Sequence, residues 1–228
     1  MSESPMSTRP EFGLGRVAKP DPRDRRFMLA SPRTASVRTA RTWYVRGVLD
    51  QGSTPHCVGY SSAQWCRASP APRVVNLVPS ELYAEAQRLD EWEGEDYDGS
   101  SVRGGMKALR ARGIVESFTW AFDPPTLIHH LLETGPMVLG TDWYESMFEP
   151  DAKGNLTVEG ATAGGHAYLA IGIDTRHRNA DRSVGAVRIV NSWGTRWGQA
   201  GRAWLPFSAL PQLLENYGEA AMGVKRRG

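Results

Sequence analysis

The stretch of sequence that decides the interpretation of this chain is Asp50-Gln51-Gly52-Ser53-Thr54-Pro55-His56-Cys57. It is a polar approach to residues 57–68, which the pattern of apolar residues predicts to be a helix, and Pro55 suits the position just before a first turn. A cysteine at a helix N-terminus meets unpaired N–H groups and the positive end of the helix dipole. Free cysteines are more commonly small buried hydrophobes. A buried helix is rarely entered through so polar a stretch, so the sequence indicates a reactive thiol at Cys57.

Two later segments supply the groups that such a thiol requires. His166 follows two glycines and opens an apolar stretch, and Asn191 ends another and begins Asn191-Ser192-Trp193-Gly194-Thr195-Arg196-Trp197-Gly198. An imidazole can take the thiol proton, an amide can orient the imidazole, and the Gln51 amide can donate to an oxyanion. Taken singly, each has an ordinary structural alternative: a hydrogen-bonded histidine, a turn asparagine, a solvated glutamine. Together they predict nucleophilic acyl transfer, with thiol and imidazole as a charged pair at neutral pH.

The order of helical and extended segments indicates the fold class. Helices are predicted in the first half of the chain, over residues 57–68, 80–92, 101–112 and 125–134. Short apolar strands are predicted in the second half, over residues 136–141, 166–174, 184–190 and 202–205. This order is typical of an α+β architecture. Residues 1–42 are rich in Pro, Arg and Ser and predict an extended N-terminal arm, with Pro20–Asp24 extended, before a globular domain over residues 43–228.

Composition narrows the function classes. With 228 residues, 40% of them hydrophobic, and eight tryptophans, the chain can form a packed core. A formal net charge of +2 without a basic, aromatic-interleaved stripe predicts no nucleic-acid partner. No apolar run approaches the ~20 residues that span a bilayer, and no secretory pattern begins the chain, so we expect a cytoplasmic protein with no membrane partner. Cys57 and Cys66 form neither a disulfide framework nor a metal-ligand pattern, and no cofactor is expected. Oligomeric state is not indicated.

Three regions resemble the signature regions of papain-like cysteine peptidases: Asp50–Ala63, residues 165–167, and Asn191-Ser192-Trp193-Gly194 followed by Trp197-Gly198. The resemblance, to bacterial and phage members in particular, implies a helical N-terminal lobe and an antiparallel β-barrel-like C-terminal lobe with the site in the cleft between them. It implies Cys57 as nucleophile, His166 as general base and acid, Asn191 as orienting residue and Gln51 as oxyanion-hole side chain. The implied substrate is a polypeptide. The implied substrate-binding residues are Gly99, Ser100, Gly165 and Trp193.

The chain also departs from the family pattern. Thr54 stands where plant and animal enzymes carry a disulfide cysteine, and Val58 replaces the usual aromatic residue after the nucleophile. Two alternatives to a peptidase use the same scaffold. One is another acyl-transfer enzyme, such as a transpeptidase or cell-wall amidase, which needs the same catalytic groups. The other is a non-catalytic binding module, which usually lacks one of those groups, and none is missing from this sequence.

Overall fold

The computed structural model describes residues 11–32, 34, 36–72, 74–90 and 97–225. Its helices are α1 (Cys57–Cys66), α2 (Pro79–Leu89), α3 (Val102–Ala111), α4 (Pro124–Glu133) and α5 (Leu210–Glu215). The first four confirm the predicted helices, except that α2 ends at Leu89 and the predicted residues 91 and 92 lie outside the described residues; α5 was not predicted. Caps explain two of the boundaries, since Ser101 accepts from the Gly104 N–H and Asp123 from the Thr126 N–H. Within the described ranges, no helix combines the length and apolar character needed to cross a bilayer.

The strands form one antiparallel sheet. They are β1 (Ala40–Thr42), β2 (Ser117–Ala121), β3 (Met137–Tyr144), β4 (Thr162–Arg178), β5 (Val184–Val190), β6 (Arg202–Pro206) and β7 (Glu219–Val224). Their order is β2-β7-β3-β4-β5-β6, with β1 paired to β4. The α+β class is therefore confirmed. The barrel-like closure was wrong, because β2 and β6 end the sheet on opposite sides and do not pair with each other.

The long strand β4 separates two apolar cores. Ala167, Leu169 and Ile171 face a core shared with helices α1 and α3, whereas Tyr168 and Ala170 face the other core with the tryptophans of the second half. The alternation follows from the two-residue period of a strand. Because α1 packs against β4, the N-terminal end of the helix that begins with Cys57 lies beside the strand that carries His166.

The described part of the N-terminal segment packs against the body. The prediction that Pro20–Asp24 is extended was wrong beyond Asp21, because Asp21 accepts a hydrogen bond from the Arg23 N–H and caps a short 3-10 helix, Pro22–Phe27. Within the predicted N-terminal arm of residues 1–42, residues 12–17 have no helix or strand of their own. From here on, the arm means residues 12–17 alone. Their backbone instead bonds to the body, as in the Gly13 N–H to Gly52 carbonyl bond of 2.9 Å.

Candidate active site

The thiol of Cys57 lies where a helix end meets a strand. Cys57 is the first residue of α1 and is fully buried. Its sulfur accepts from the backbone N–H of Ala167 and from that of Val58. Ala167 directly follows His166 on β4, so the predicted nucleophile and the predicted base are brought together from segments distant in sequence. N–H groups around a sulfur favour the negative charge of a thiolate.

His166 is held by one ring nitrogen only. Its Nε2 donates to Asn191 Oδ1 over 2.8 Å, and the Ser192 N–H donates to the same oxygen over 2.7 Å, which fixes the orientation of the amide. Since an amide oxygen can only accept, Nε2 carries the ring hydrogen and Nδ1 is left as an acceptor. Nδ1 is buried and has no hydrogen-bond partner within the part of the chain that the structure describes. The imidazole is therefore oriented by Asn191 and free to take a proton at its other nitrogen.

Two indoles shield this histidine from water. The ring of Trp193 stacks on the His166 ring with centroids 4.6 Å apart, and Trp143 meets it edge-on at 4.9 Å. All three residues are buried. A hydrogen bond in such a water-excluded setting is electrostatically stronger than one exposed to solvent.

Gln51 is also held rigidly. Its Nε2 donates to the Thr54 carbonyl over 2.7 Å, and its Oε1 accepts from the Ser192 hydroxyl over 2.6 Å. The Ser192 hydroxyl thereby fixes which end of the Gln51 amide points toward the cleft. Sequence reasoning missed this role of Ser192, for which its position next to Asn191 is the only indication.

The arm occupies the space beside these groups. The Gly13 carbonyl accepts from Gln51 Nε2 and from Trp193 Nε1, both over 3.1 Å. The Gly165 carbonyl accepts from the N–H groups of Gly15 and Arg16 over 3.0 and 2.9 Å. Both hydrogens of the Gln51 amide are therefore engaged by main-chain carbonyls.

The arm also pairs with the loop that was predicted to bind substrate. Ser100 donates its N–H to the Gly15 carbonyl and accepts from the Val17 N–H, both over 2.9 Å. At Gly99 a Cβ atom would come within 2.5 Å of the Gly15 carbonyl oxygen, so the backbones lie in close contact there. The four residues predicted to bind substrate, Gly99, Ser100, Gly165 and Trp193, thus all contact the arm.

Burial sets the protonation state of this covered site. Burial raises the pKa of the Cys57 thiol to about 12, although the Ala167 N–H acts in the opposite direction. Burial likewise lowers the pKa of His166 to about 4, against the effect of its bond to Asn191. Both shifts disfavour the predicted charged pair in this conformation. With the arm in place and water excluded, they favour a neutral thiol and a neutral imidazole.

Metal binding has no support in this site. Among the residues that the structure describes, no group of three or more histidine, cysteine, aspartate or glutamate side chains is placed to hold a metal ion.

Comparison with known proteins identifies the fold. No protein-family model and no curated protein matches the chain. Xylellain, a cysteine protease from Xylella fastidiosa, superposes with a TM-score of 0.75 at 19% identity, over 100% of this chain and 99% of that one. Procathepsin L2 proteinase from Tenebrio molitor gives 0.63 at 13%, over 93% and 78%. Bromelain from Ananas comosus, in complex with the inhibitor E64, gives 0.58 at 13%, over 83% and 100%. The fold is that of papain-like cysteine proteases.

Proposed function

We propose that this chain, with its papain-like fold, is a cysteine peptidase that hydrolyses peptide bonds through an acyl-enzyme on Cys57. One observation carries the proposal. His166 uses Nε2 to bond Asn191 and keeps Nδ1 unbonded among the described residues, while the N–H of the next residue contacts the Cys57 sulfur. A structural histidine in a core is expected to bond through both nitrogens.

The proposed reaction has two halves, acylation of Cys57 and hydrolysis of the resulting thioester, and His166 transfers protons in both. His166 Nδ1 takes the proton of the Cys57 thiol, and the sulfur attacks the substrate carbonyl carbon. The oxyanion accepts from Gln51 Nε2 and from the Cys57 N–H. The C–N bond then breaks as His166 gives its proton to the departing amine, leaving a thioester. Water, deprotonated by His166, attacks the thioester and releases the carboxylic acid and the thiol.

The arm makes the described conformation a closed one. The Gly13 carbonyl occupies the Gln51 donor that the oxyanion needs, and the arm backbone occupies Gly165 and Ser100. A peptide substrate requires the same donors and acceptors. We therefore propose that the arm must leave the cleft before a substrate can bind.

The test compares the two cysteines of one helix. Cys57 and Cys66 are both buried in α1, so Cys66→Ala is a matched control for Cys57→Ala. Hydrolysis of a fluorogenic peptide library is measured on the full-length chain and on Gly15→Ala, in which an added Cβ would lie 2.1 Å from the Pro55 carbonyl oxygen and expel the arm. We expect hydrolysis by Gly15→Ala, its retention with Cys66→Ala, and its loss with Cys57→Ala.

Labelling with an epoxide-type inactivator completes the test. Mass spectrometry of labelled Gly15→Ala is expected to find the adduct on Cys57 and not on Cys66. Hydrolysis that persists in Cys57→Ala would contradict the mechanism. An adduct on Cys57 with transfer to an added amine, but no hydrolysis of peptides, would replace the peptidase with a transpeptidase on the same groups.

A further inference from the structure

The cleft contains a buried carboxylate that the proposed reaction does not use. Glu219 begins β7 and is buried, with its side chain 8% exposed. Burial raises its pKa to about 7, although the charge of Arg16 acts in the opposite direction. Arg16 Nε lies 3.4 Å from Glu219 Oε2, and the Arg16 side chain is 1% exposed. A carboxylate is rarely buried unless a cation or several donors compensate its charge.

Residues of the body enclose the Arg16 side chain, and we call the space that it fills the Glu219 pocket. A Cβ atom at Gly140 would lie 2.5 Å from Val102 Cγ2 and 3.1 Å from Arg16 Nε, so only glycine leaves room there. The Tyr217 carbonyl accepts from Arg16 Nη2. Tyr217 itself has φ 54, a left-handed conformation that is costly for a tyrosine and that directs this carbonyl. The pocket thus offers a carboxylate to Nε and a carbonyl to Nη2.

The pocket lies next to the reacting groups. The Arg16 backbone N–H bonds to the carbonyl of Gly165, the residue before His166. The charge of Arg16 also acts on the Cys57 thiol, where it lowers the pKa against the effect of burial. A side chain in this pocket therefore belongs to a residue close to the bond that would be cleaved.

We propose that the Glu219 pocket is a specificity site for an arginine side chain of the peptide substrate, and that Arg16 fills it while the arm covers the cleft. The substrate half of this proposal rests on the proposed peptidase function. When the arm leaves, the Glu219 carboxylate keeps the Val102 N–H but loses its counter-charge, and the Tyr217 carbonyl loses the Arg16 donor; a substrate arginine restores both contacts. Lysine presents a single nitrogen and cannot reach both acceptors in the same geometry. An uncharged side chain leaves the carboxylate without a counter-charge.

The first experiment refills the pocket with a small molecule. In the full-length Arg16→Ala variant, the arginine side chain is removed while the rest of the arm is retained. Propylguanidine has the shape and charge of the missing side chain, and propylurea has nearly the same shape without the charge. We expect propylguanidine to raise the Tm of Arg16→Ala by a few degrees in a saturable manner, and propylurea to have no such effect. Glu219→Gln, added to Arg16→Ala, is expected to abolish the shift.

A matched control separates the pocket from general charge effects. Glu215 ends α5, close to Glu219 in sequence, but is exposed, so Glu215→Gln in the Arg16→Ala background should leave the propylguanidine shift unchanged. Equal shifts with the two ligands, or a shift that survives Glu219→Gln, would overturn the pocket. Circular dichroism and Tm of Glu219→Gln alone establish that the variant is folded.

The second experiment tests the substrate. Fluorogenic peptides carrying arginine, citrulline or lysine at each position in turn are offered to Gly15→Ala, in which the arm is displaced from the cleft. We expect kcat/KM on the order of 100-fold higher for arginine than for citrulline at one position, and loss of that preference when Glu219→Gln is added to Gly15→Ala. Hydrolysis without any arginine preference would overturn the specificity proposal and leave the peptidase intact. No hydrolysis of any peptide, with a propylguanidine shift still present, would instead count against the peptidase.

Discussion

Two buried arginines, each in an ion pair with carboxylates, attach the N-terminal segment to the body, and the two attachments have opposite charge arrangements. In the arm, the arginine belongs to the segment and the carboxylate to the body, as Arg16 and Glu219. In residues 21–27 the carboxylates belong to the segment, where Asp24 and Asp21 meet Arg103 of α3 over 2.5 and 2.8 Å. Only the first pair lies beside the thiol.

The different positions of these two attachments indicate different roles. The Arg16 attachment holds the arm over the site, whereas the Arg103 attachment holds residues 21–27 against the body. Among the described residues, no hydrogen bond or ion pair joins Arg103 to Cys57 or His166, so we expect its pairs to remain formed while the arm leaves the cleft. The Arg16 pair must break, because the Glu219 pocket lies in the cleft that the arm covers. We therefore expect residues 21–27, which we call the anchor, to hold the segment while the arm acts as a removable cover, and each attachment to break without the other.

Expelling the arm is expected to give the largest effect. At Gly15 an added Cβ would lie 2.1 Å from the Pro55 carbonyl oxygen, and neither backbone can yield without breaking the bonds to Gly165 and Ser100. We expect Gly15→Ala to raise the rate of Cys57 alkylation by iodoacetamide by about 100-fold, which corresponds to about 3 kcal/mol of docking free energy. The rate is measured by mass spectrometry, residue by residue.

Two controls accompany this prediction. Glu11→Ala changes an exposed residue just before the arm and should leave the rate unchanged. Cys66, buried at the other end of α1, should stay unreactive in both proteins. An unchanged Cys57 rate in a folded Gly15→Ala protein would show that the arm does not limit access to the thiol.

Breaking the anchor is expected to change stability instead. Arg103→Ala leaves the Asp24 carboxylate without its cation and Asp21 with Arg23 alone, and we expect the free energy of unfolding in urea to fall by about 3 kcal/mol. The alkylation rate of Cys57 should change by less than about threefold, since the arm keeps its own contacts. Arg110→Ala, an exposed arginine on the same helix, should cost under about 0.5 kcal/mol. A large rise in alkylation with Arg103→Ala would mean that the two attachments open together.

The ionisation state of Cys57, measured by ultraviolet absorbance, is expected to change when the arm is displaced and to stay the same when the Arg103 pairs are broken. Because burial raises its pKa to about 12, the full-length chain should show no thiolate absorbance at neutral pH. In Gly15→Ala, water and the helix N-terminus favour the thiolate, and His166 can accept the proton, so an ultraviolet thiolate band should appear at pH 7. The spectrum of each protein is corrected with its Cys57→Ala counterpart. Arg103→Ala should remain without the band, and a full thiolate band in the unmodified chain at pH 7 would contradict the neutral pair.

The comparison also marks what the sequence could predict. The helix that begins with Cys57, and the helix capped by Ser101, have local reasons to form: a polar entry, a cap and a terminating glycine. The sequence contexts of Cys57, His166 and Asn191, together with the family resemblance, predicted their meeting; Cys57 begins α1 and Asn191 follows β5, whereas His166 lies inside β4 and not at its start as predicted. Local patterns of this kind survive in a single sequence.

The Glu219 pocket and the position of the arm could not be predicted from any such local sequence pattern. Strand β7, which positions Glu219, reads Glu-Ala-Ala-Met-Gly-Val and has low strand propensity. It is a strand because β2 and β3 pair with it on either side. The arm has no periodicity because its backbone bonds go to Gly52, Gly165 and Ser100 of the body. Both features arise from tertiary pairing, which residue patterns along one chain do not report.

The smallest effect concerns the ring at the start of the arm. Phe12 lies 4.7 Å from the Trp193 ring and 6.0 Å from the Phe148 ring, and it is half-buried. An aromatic pair of this kind contributes about 1 kcal/mol beyond its buried area, so Phe12→Ala should raise Cys57 alkylation by about fivefold. Phe27→Ala is the matched control, since Phe27 is the last residue of the short helix Pro22–Phe27, away from the arm, and is 52% exposed. If the two phenylalanine variants alter the rate equally, the aromatic contact with Trp193 has no specific part in closing the cleft, and the backbone bonds of Gly13 and Gly15 with the Arg16 pair must account for it.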